Sequence, residues 1–154
     1  MRLLLCAVLL STQLATTAQE ISSNAASFQF SFNHLAIAVQ DLDRAANFYS
    51  HVLGLKEITN RPNDVNIRWF SLGEGKELHL IFRKQSAAEK PKEMHLAVST
   101  QSFDRLIAFL KKEKIPYSDW PGTAGKINRR SDGIRQIYLQ DPDGYWIEVN
   151  DVKQ

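Results

Sequence analysis

Residues 33–48 read NHLAIAVQDLDRAANF, and residues 94–109 read MHLAVSTQSFDRLIAF. At an offset of 61 the two stretches share His34/His95, Leu35/Leu96, Ala36/Ala97, Asp43/Asp104, Arg44/Arg105 and Phe48/Phe109. Self-similarity of this kind marks two copies of one supersecondary unit. Each copy opens with alternating residues that predict a strand, Phe32–Val39 and Glu93–Ser99, and continues into an amphipathic helix. In the second helix Phe103, Leu106, Ile107 and Leu110 form the apolar stripe. Ser102 is the expected cap, and Lys111, Lys112 and Lys114 suit the negative end. In the first helix the stripe is Leu42, Ala45, Ala46 and Tyr49, and Gly54 is the expected stop. Three shorter strand-like segments follow in each half: Leu55–Ile58, Asn66–Leu72 and Glu77–Arg83, then Tyr117 onward, Arg135–Leu139 and Tyr145–Val149. Gly73-Glu74-Gly75 and Asp141-Pro142-Asp143-Gly144 supply turn chemistry. The pattern predicts an α+β fold built as βαβββ twice, with module one at 31–84 and module two at 92–152.

Outside the repeat, Arg2 precedes an apolar run, Leu3–Leu10, and then small and polar residues up to Ala18. That layout predicts a signal peptide over 1–18 and an exported, periplasmic or secreted protein. The run is too short to span a membrane, which takes about 20 residues. Residues 19–30 read as a flexible lead-in. The chain has 44% hydrophobic and 23% charged residues, ordinary for a globular domain. Without residues 1–18 it carries 18 basic and 17 acidic residues, a net charge of +1. That balance gives no electrostatic case for nucleic acid or for a membrane partner after the leader is removed. The single cysteine, Cys6, lies in the leader, so the mature chain has no disulfide, thiolate ligand or cysteine nucleophile.

Strand alternation sorts the polar residues. In the first strand Leu35, Ile37 and Val39 share a face, and His34, Ala36 and Ala38 share the other. In its counterpart Leu96 and Val98 oppose His95, Ala97 and Ser99. The bulky face is suited to pack under the helix, while the histidine face carries only small companions and leaves room. In the last strand of each half His79 opposes Leu78 and Leu80, and Glu148 opposes Ile147 and Val149. Each module therefore offers two candidate ligands to one cavity: His34, His79, His95 and Glu148. Three imidazoles and a carboxylate suit one divalent transition metal, Zn²⁺, Ni²⁺, Co²⁺, Mn²⁺ or Fe²⁺, better than Ca²⁺ or Mg²⁺. His51 shares a helix face with Arg44 and Asn47 and reads as surface.

HLAIAVQDLDRAANFYSHVLGL, MHLAV and YLQDPDGYWIEV resemble the vicinal oxygen chelate superfamily, also called the glyoxalase/bleomycin resistance protein/dioxygenase superfamily, over about residues 31–152. The resemblance implies paired βαβββ modules forming a cupped mixed sheet around a divalent metal that chelates adjacent substrate oxygens. Its ligand positions match His34, His79, His95 and Glu148. The two-module glyoxalase I pattern implies a lyase or isomerase in which Glu148 is also the catalytic base, removing a proton beside a carbonyl while the metal stabilises the enediolate. Against that pattern, His79 stands where a second glutamate is usual. Ala38 replaces a glutathione-binding arginine, and Arg83 aligns with a glutathione-binding asparagine. The extradiol dioxygenases share Tyr138, Asp141, Pro142, Gly144 and Glu148, but have a histidine where this chain has Arg129, Arg130 and Ser131. Fosfomycin-type transferases have a threonine where Ala36 stands. An Fe²⁺ dioxygenase and a non-catalytic small-molecule binding or resistance protein are the alternatives.

The segment Trp120–Ile134 is glycine-rich and basic. As a mobile lid, its Lys126, Arg129 and Arg130 would hold an anionic small-molecule substrate, together with Arg83. The two modules can close one site within a chain or exchange across a homodimer.

Overall fold

The computed structural model describes residues 29–84 and 89–153. The expected signal peptide, 1–18, and the lead-in as far as residue 28 lie outside the described residues. From Asn33 onward the chain forms one compact unit.

The repeat in the sequence is a repeat in topology. Module one runs β1 (His34–Val39), α1 (Leu42–Asn47), β2 (Glu57–Ile58), β3 (Ile67–Gly73) and β4 (Lys76–Phe82). Module two runs β5 (His95–Ser99), α2 (Phe103–Lys112), β6 (Asn128–Arg129), β7 (Arg135–Gln140) and β8 (Trp146–Asn150). Each module is a four-stranded mixed sheet, ordered β1-β4-β3-β2 and β5-β8-β7-β6. The first strand pairs parallel to the last, and the remaining pairs are antiparallel.

Local chemistry accounts for most element ends. Asp41 caps α1, its carboxylate accepting from the Arg44 N–H at 2.9 Å. The helix continues as a wider π-helical turn, Phe48–Val52, and ends at Gly54 with φ +67°. Ser102 stands at the start of α2, but its side chain makes no capping bond. The Thr100 hydroxyl instead accepts from the Ser102 N–H at 3.1 Å. Glu74 and Gly75 both have positive φ between the paired residues Gly73 and Lys76, the two-residue hairpin turn that matches strand twist. The region from Tyr117 is less regular than its sequence suggests. Ser118 makes isolated bridges to Tyr138 and Ala124, and only Asn128–Arg129 forms a strand against β7.

The apolar faces of the two sheets, with their helices, build a single core. Tyr49, Phe70, Leu78 and Leu80 from module one join Phe103, Leu110, Ile137 and Ile147 from module two. Each fully buried aliphatic side chain contributes roughly 1.5–3 kcal/mol. The Asp141–Tyr145 turn fastens the modules together. The Tyr49 hydroxyl donates to Asp141 Oδ2 at 2.9 Å, and the Gln40 N–H donates to Asp143 Oδ1 at 2.9 Å. The Ala38 N–H donates to the Tyr145 hydroxyl at 3.1 Å. Asp141 Oδ1 is occupied within the turn by the N–H groups of Asp143 and Tyr145. Because both apolar faces are spent on one core, both histidine-bearing faces turn away from it.

Candidate metal centre

Strand register places the four candidate ligands as two matching pairs. On β4, His79 sits opposite Ala36 of β1, and on β8, Glu148 sits opposite Ala97 of β5. His79 and Glu148 are therefore structural equivalents, as His34 and His95 are. Opposite each second ligand, on the third strand, stands an aromatic residue: Trp69 faces His79, and Tyr138 faces Glu148.

In module one the aromatic residue stacks. The Trp69 and His79 rings lie 4.1 Å apart and 4° from parallel, and His34 stacks on the other side of His79 at 4.4 Å and 13°. His34 Nδ1–H donates to Asn33 Oδ1 at 2.7 Å, which leaves Nε2 as the free nitrogen. His79 Nε2–H donates to Glu77 Oε2 at 2.8 Å. Arg61 reaches the same carboxylate at 3.1 Å and lies 4.6 Å over the Trp69 ring. The His79 hydrogen bond, helped by Arg61, holds Glu77 below the usual carboxylate range.

In module two the aromatic residue hydrogen-bonds. The Tyr138 hydroxyl donates to Glu148 Oε2 at 2.7 Å, and Asn150 Nδ2 donates to Oε1 at 2.8 Å. Ser99 and Gln136 extend this network, Ser99 donating to Asn150 and Gln136 to the Tyr138 hydroxyl. Burial first, and then the bond to Glu148, raise Tyr138 far above its ordinary pKa, so it remains a donor. His95 Nδ1–H donates to the Lys92 carbonyl at 2.8 Å, and its Nε2 lies 3.4 Å from Glu148 Oε2. A histidine anchored at one nitrogen by a carbonyl, with the other aimed at a carboxylate, has the arrangement of a metal ligand.

Among the described residues, no three histidine, cysteine, aspartate or glutamate side chains come together to hold a metal. The chain brings together His34 with His79 and His95 with Glu148, but not the two pairs with each other. The donor chemistry of module two fits a metal. Two ligands each about 2.1 Å from one ion stand about 3 Å apart, close to the separation of His95 and Glu148. In module one the rings are parallel, so their in-plane lone pairs run side by side, and one ring must turn before both can meet one ion.

The basic residues expected to bind substrate stand at the surface, and the charge of Arg130 reaches Tyr138. Arg83 is exposed and donates to the Phe82 carbonyl. Lys126 is exposed as well. Arg129 donates to the Gly133 carbonyl at 3.0 Å, and Arg130 pairs with Asp132 at 2.6 Å. The start of the loop is fastened rather than free. Asp119 is buried and accepts from the Thr123 N–H at 2.6 Å, and the Gly125 N–H donates to the Tyr117 carbonyl at 2.8 Å.

Lys92 and Trp120 complete this face, and sequence reading gave neither a role. The Trp120 ring is edge-on to His95 at 6.3 Å and to Tyr138 at 5.3 Å. The Lys92 ammonium lies 4.8 Å over the Tyr138 ring and 4.7 Å over that of Trp146, and burial there lowers its pKa. A lysine before a strand carries no periodic signal. Only the spacing of three residues to His95 hinted at proximity.

The family model described as Glyoxalase/Bleomycin resistance protein/Dioxygenase superfamily matches residues 31–149. The chain belongs to that superfamily. It is 24% identical to a lactoylglutathione lyase of Pseudomonas putida, over 91% of this chain and 94% of that protein. It is 29% identical to the metallothiol transferase FosB of Lysinibacillus sphaericus (strain C3-41), over 78% of this chain and 81% of that one. Among solved structures, the oxidase ChaP-H2 superposes with a TM-score of 0.66 at 23% identity, covering 80% of this chain and 94% of its own, a likeness of fold.

Proposed function

We propose that this chain is a divalent-metal-dependent enzyme of the lyase or isomerase type, acting on a small substrate with two adjacent oxygens. Its centre is completed by two copies of the chain, with His34 and His79 of one facing His95 and Glu148 of the partner subunit. The observation that carries the reading is the cradle around Glu148. A buried carboxylate with one donor on each oxygen and an imidazole nitrogen 3.4 Å away is oriented to take a proton at a fixed place. A bound metal would polarise the substrate oxygens and lower the barrier to that proton loss. Glu148 Oε2 would receive the proton, the Tyr138 hydroxyl would steady the carboxylate, and the Lys92 carbonyl would keep His95 in one tautomer. The separation of the two pairs supports the shared centre. Each pair alone supplies only two ligands, and both look away from the core that the modules share.

The lactoylglutathione lyase and the FosB transferase among the relatives support an enzyme rather than a scaffold. Within this reading Arg83, Lys126, Arg129 and Arg130 attract an anionic substrate from the rim. Residues 1–18 direct export to the periplasm or exterior, supported by Arg2 and the run Leu3–Leu10.

The test is proton exchange. Mature protein loaded with Zn²⁺, Ni²⁺, Co²⁺ or Mn²⁺ is mixed in D₂O with a panel of 2-hydroxycarbonyl compounds and hemithioacetals, and loss of the C–H signal is followed by NMR. Metal-dependent exchange that vanishes in Glu148→Gln is the expected result. Oxygen uptake with Fe²⁺ and a catechol, without exchange, would replace this reading with a dioxygenase. Ligand binding without either reaction would leave a binding protein.

A further inference from the structure

The Lys92 side chain spends its ammonium on one short segment. Nζ donates to Ser118 Oγ at 3.2 Å, to the Asp119 carbonyl at 2.8 Å and to the Trp120 carbonyl at 3.1 Å. An ammonium has three protons, and three acceptors are in reach. The head group also sits among the rings of Tyr138, Trp146 and, at 5.9 Å, Trp120. A surface lysine ordinarily keeps its head in water, and holding it in place costs side-chain freedom. Here that cost is met by hydrogen bonds to the residues that start the loop over the His95–Glu148 face. Trp120, which those bonds place, remains 42% exposed while its ring touches His95 and Tyr138. An indole in that position presents bare apolar surface beside the candidate ligands.

We propose that Lys92 is a positioning residue: it pins residues 118–120 so that the Trp120 indole forms a fixed wall beside His95, against which a flat ligand at the centre packs. Its backbone carbonyl orients His95 and its side chain orients Trp120, so one residue sets both the ligand and the wall. This inference rests on the proposed metal centre for what the wall contacts, but not for the clamp itself.

The experiment uses full-length mature protein labelled with 5-fluorotryptophan, with Trp120→Phe to assign the Trp120 resonance. Lys92→Met keeps the stem among the rings and removes all three donors. Ser118→Ala removes one acceptor and guards against a Lys92 variant that fails to fold. In metal-free protein, Lys92→Met should shift or broaden the Trp120 resonance while that of Trp69 stays put, and Ser118→Ala should do the same more weakly. In Co²⁺-loaded protein, tropolone, a flat probe with two adjacent oxygens, should bind Lys92→Met about tenfold more weakly, the size of one lost aromatic contact. Co²⁺ affinity itself should change little. An unmoved Trp120 resonance in both variants would overturn the clamp, and so would tropolone affinity that is unchanged or falls only in step with Co²⁺ affinity. If the wild type takes up no Co²⁺, the metal reading fails, and the fluorine spectrum alone still decides for or against the clamp.

Discussion

The two modules share a phrase, a topology and a register, yet they treat the second ligand differently. In module one the residue opposite His79 is Trp69, which stacks on it. In module two the residue opposite Glu148 is Tyr138, which donates a hydrogen bond to it. A ring is matched with a ring and a carboxylate with a hydroxyl. The same contrast recurs two residues earlier on the last strand, where Glu77 accepts from His79 while its equivalent, Trp146, packs near Lys92. Module two therefore offers an imidazole beside a hydrogen-bonded carboxylate, whereas module one offers two stacked imidazoles. One backbone plan, duplicated, has been given two electrostatic characters by a few side chains.

Exchanging the characters tests this directly. Glu148→His should retain metal and abolish proton exchange, a loss of about a thousandfold or more for removal of a general base. His79→Glu, by contrast, should retain metal and activity, because a carboxylate is an equally good ligand at that position. Loss of metal in both, measured by mass spectrometry of purified protein, would break the equivalence.

The seam between the modules should show the next largest effect. Asp141 accepts from Tyr49 and from two N–H groups, and it is buried. Asp141→Ala should cost about 2–4 kcal/mol in denaturant unfolding, since the buried Tyr49 hydroxyl and two half-buried N–H groups lose their acceptor. Burial holds the Asp141 pKa above its ordinary value, so the fold tolerates a neutral group there. Asp141→Asn should accordingly recover most of the loss.

Tyr138→Phe removes one donor from Glu148 without emptying space, and should lower proton exchange about tenfold at unchanged metal content. Trp69→Phe keeps a ring on His79 and should change exchange less.

The smallest effect concerns a feature the modules share. Arg68 of β3 reaches Asp43 at 2.8 Å, and Arg135 of β7 reaches Asp104 at 2.7 Å, which explains why the aspartate recurs in the repeated phrase. Arg135 also holds Asp151, whose pKa is lowered chiefly by that bond. A carboxyl with a depressed folded pKa stabilises the fold above its unfolded pKa, about 4, and loses that contribution as pH falls through the folded value. Denaturation midpoints should thus fall more steeply below about pH 4 in the wild type than in Asp151→Asn.

The repeat made the fold legible. Strand alternation and helical spacing are set by local sequence, and they fixed the modules, the stripe of each helix and the shared face of His34 and His79. The pairing of His79 with Glu148 could be inferred by aligning the last strands, and register places both opposite an alanine. Which face of each sheet meets the other module was not legible. Both apolar faces turn inward on one core, a choice made by packing between distant segments. The role of Lys92 was hidden for the same reason: its partners, Ser118 to Trp120, lie across a helix in sequence. The loop from Tyr117 read as a strand because its residues suit one. Its carbonyls are instead drawn into a turn around Asp119 and onto Lys92.

In the proposed enzyme two incomplete pairs make one centre across two chains. Two variants, His34→Ala/His79→Ala and His95→Ala/Glu148→Ala, are purified separately, then mixed, unfolded and refolded together. Metal content of the mixed dimer is read by native mass spectrometry. A shared centre predicts no metal in either parent dimer and one ion in the mixed dimer, where one intact set of four ligands is restored. A mixed dimer as empty as its parents, beside a wild type that binds metal, would contradict it.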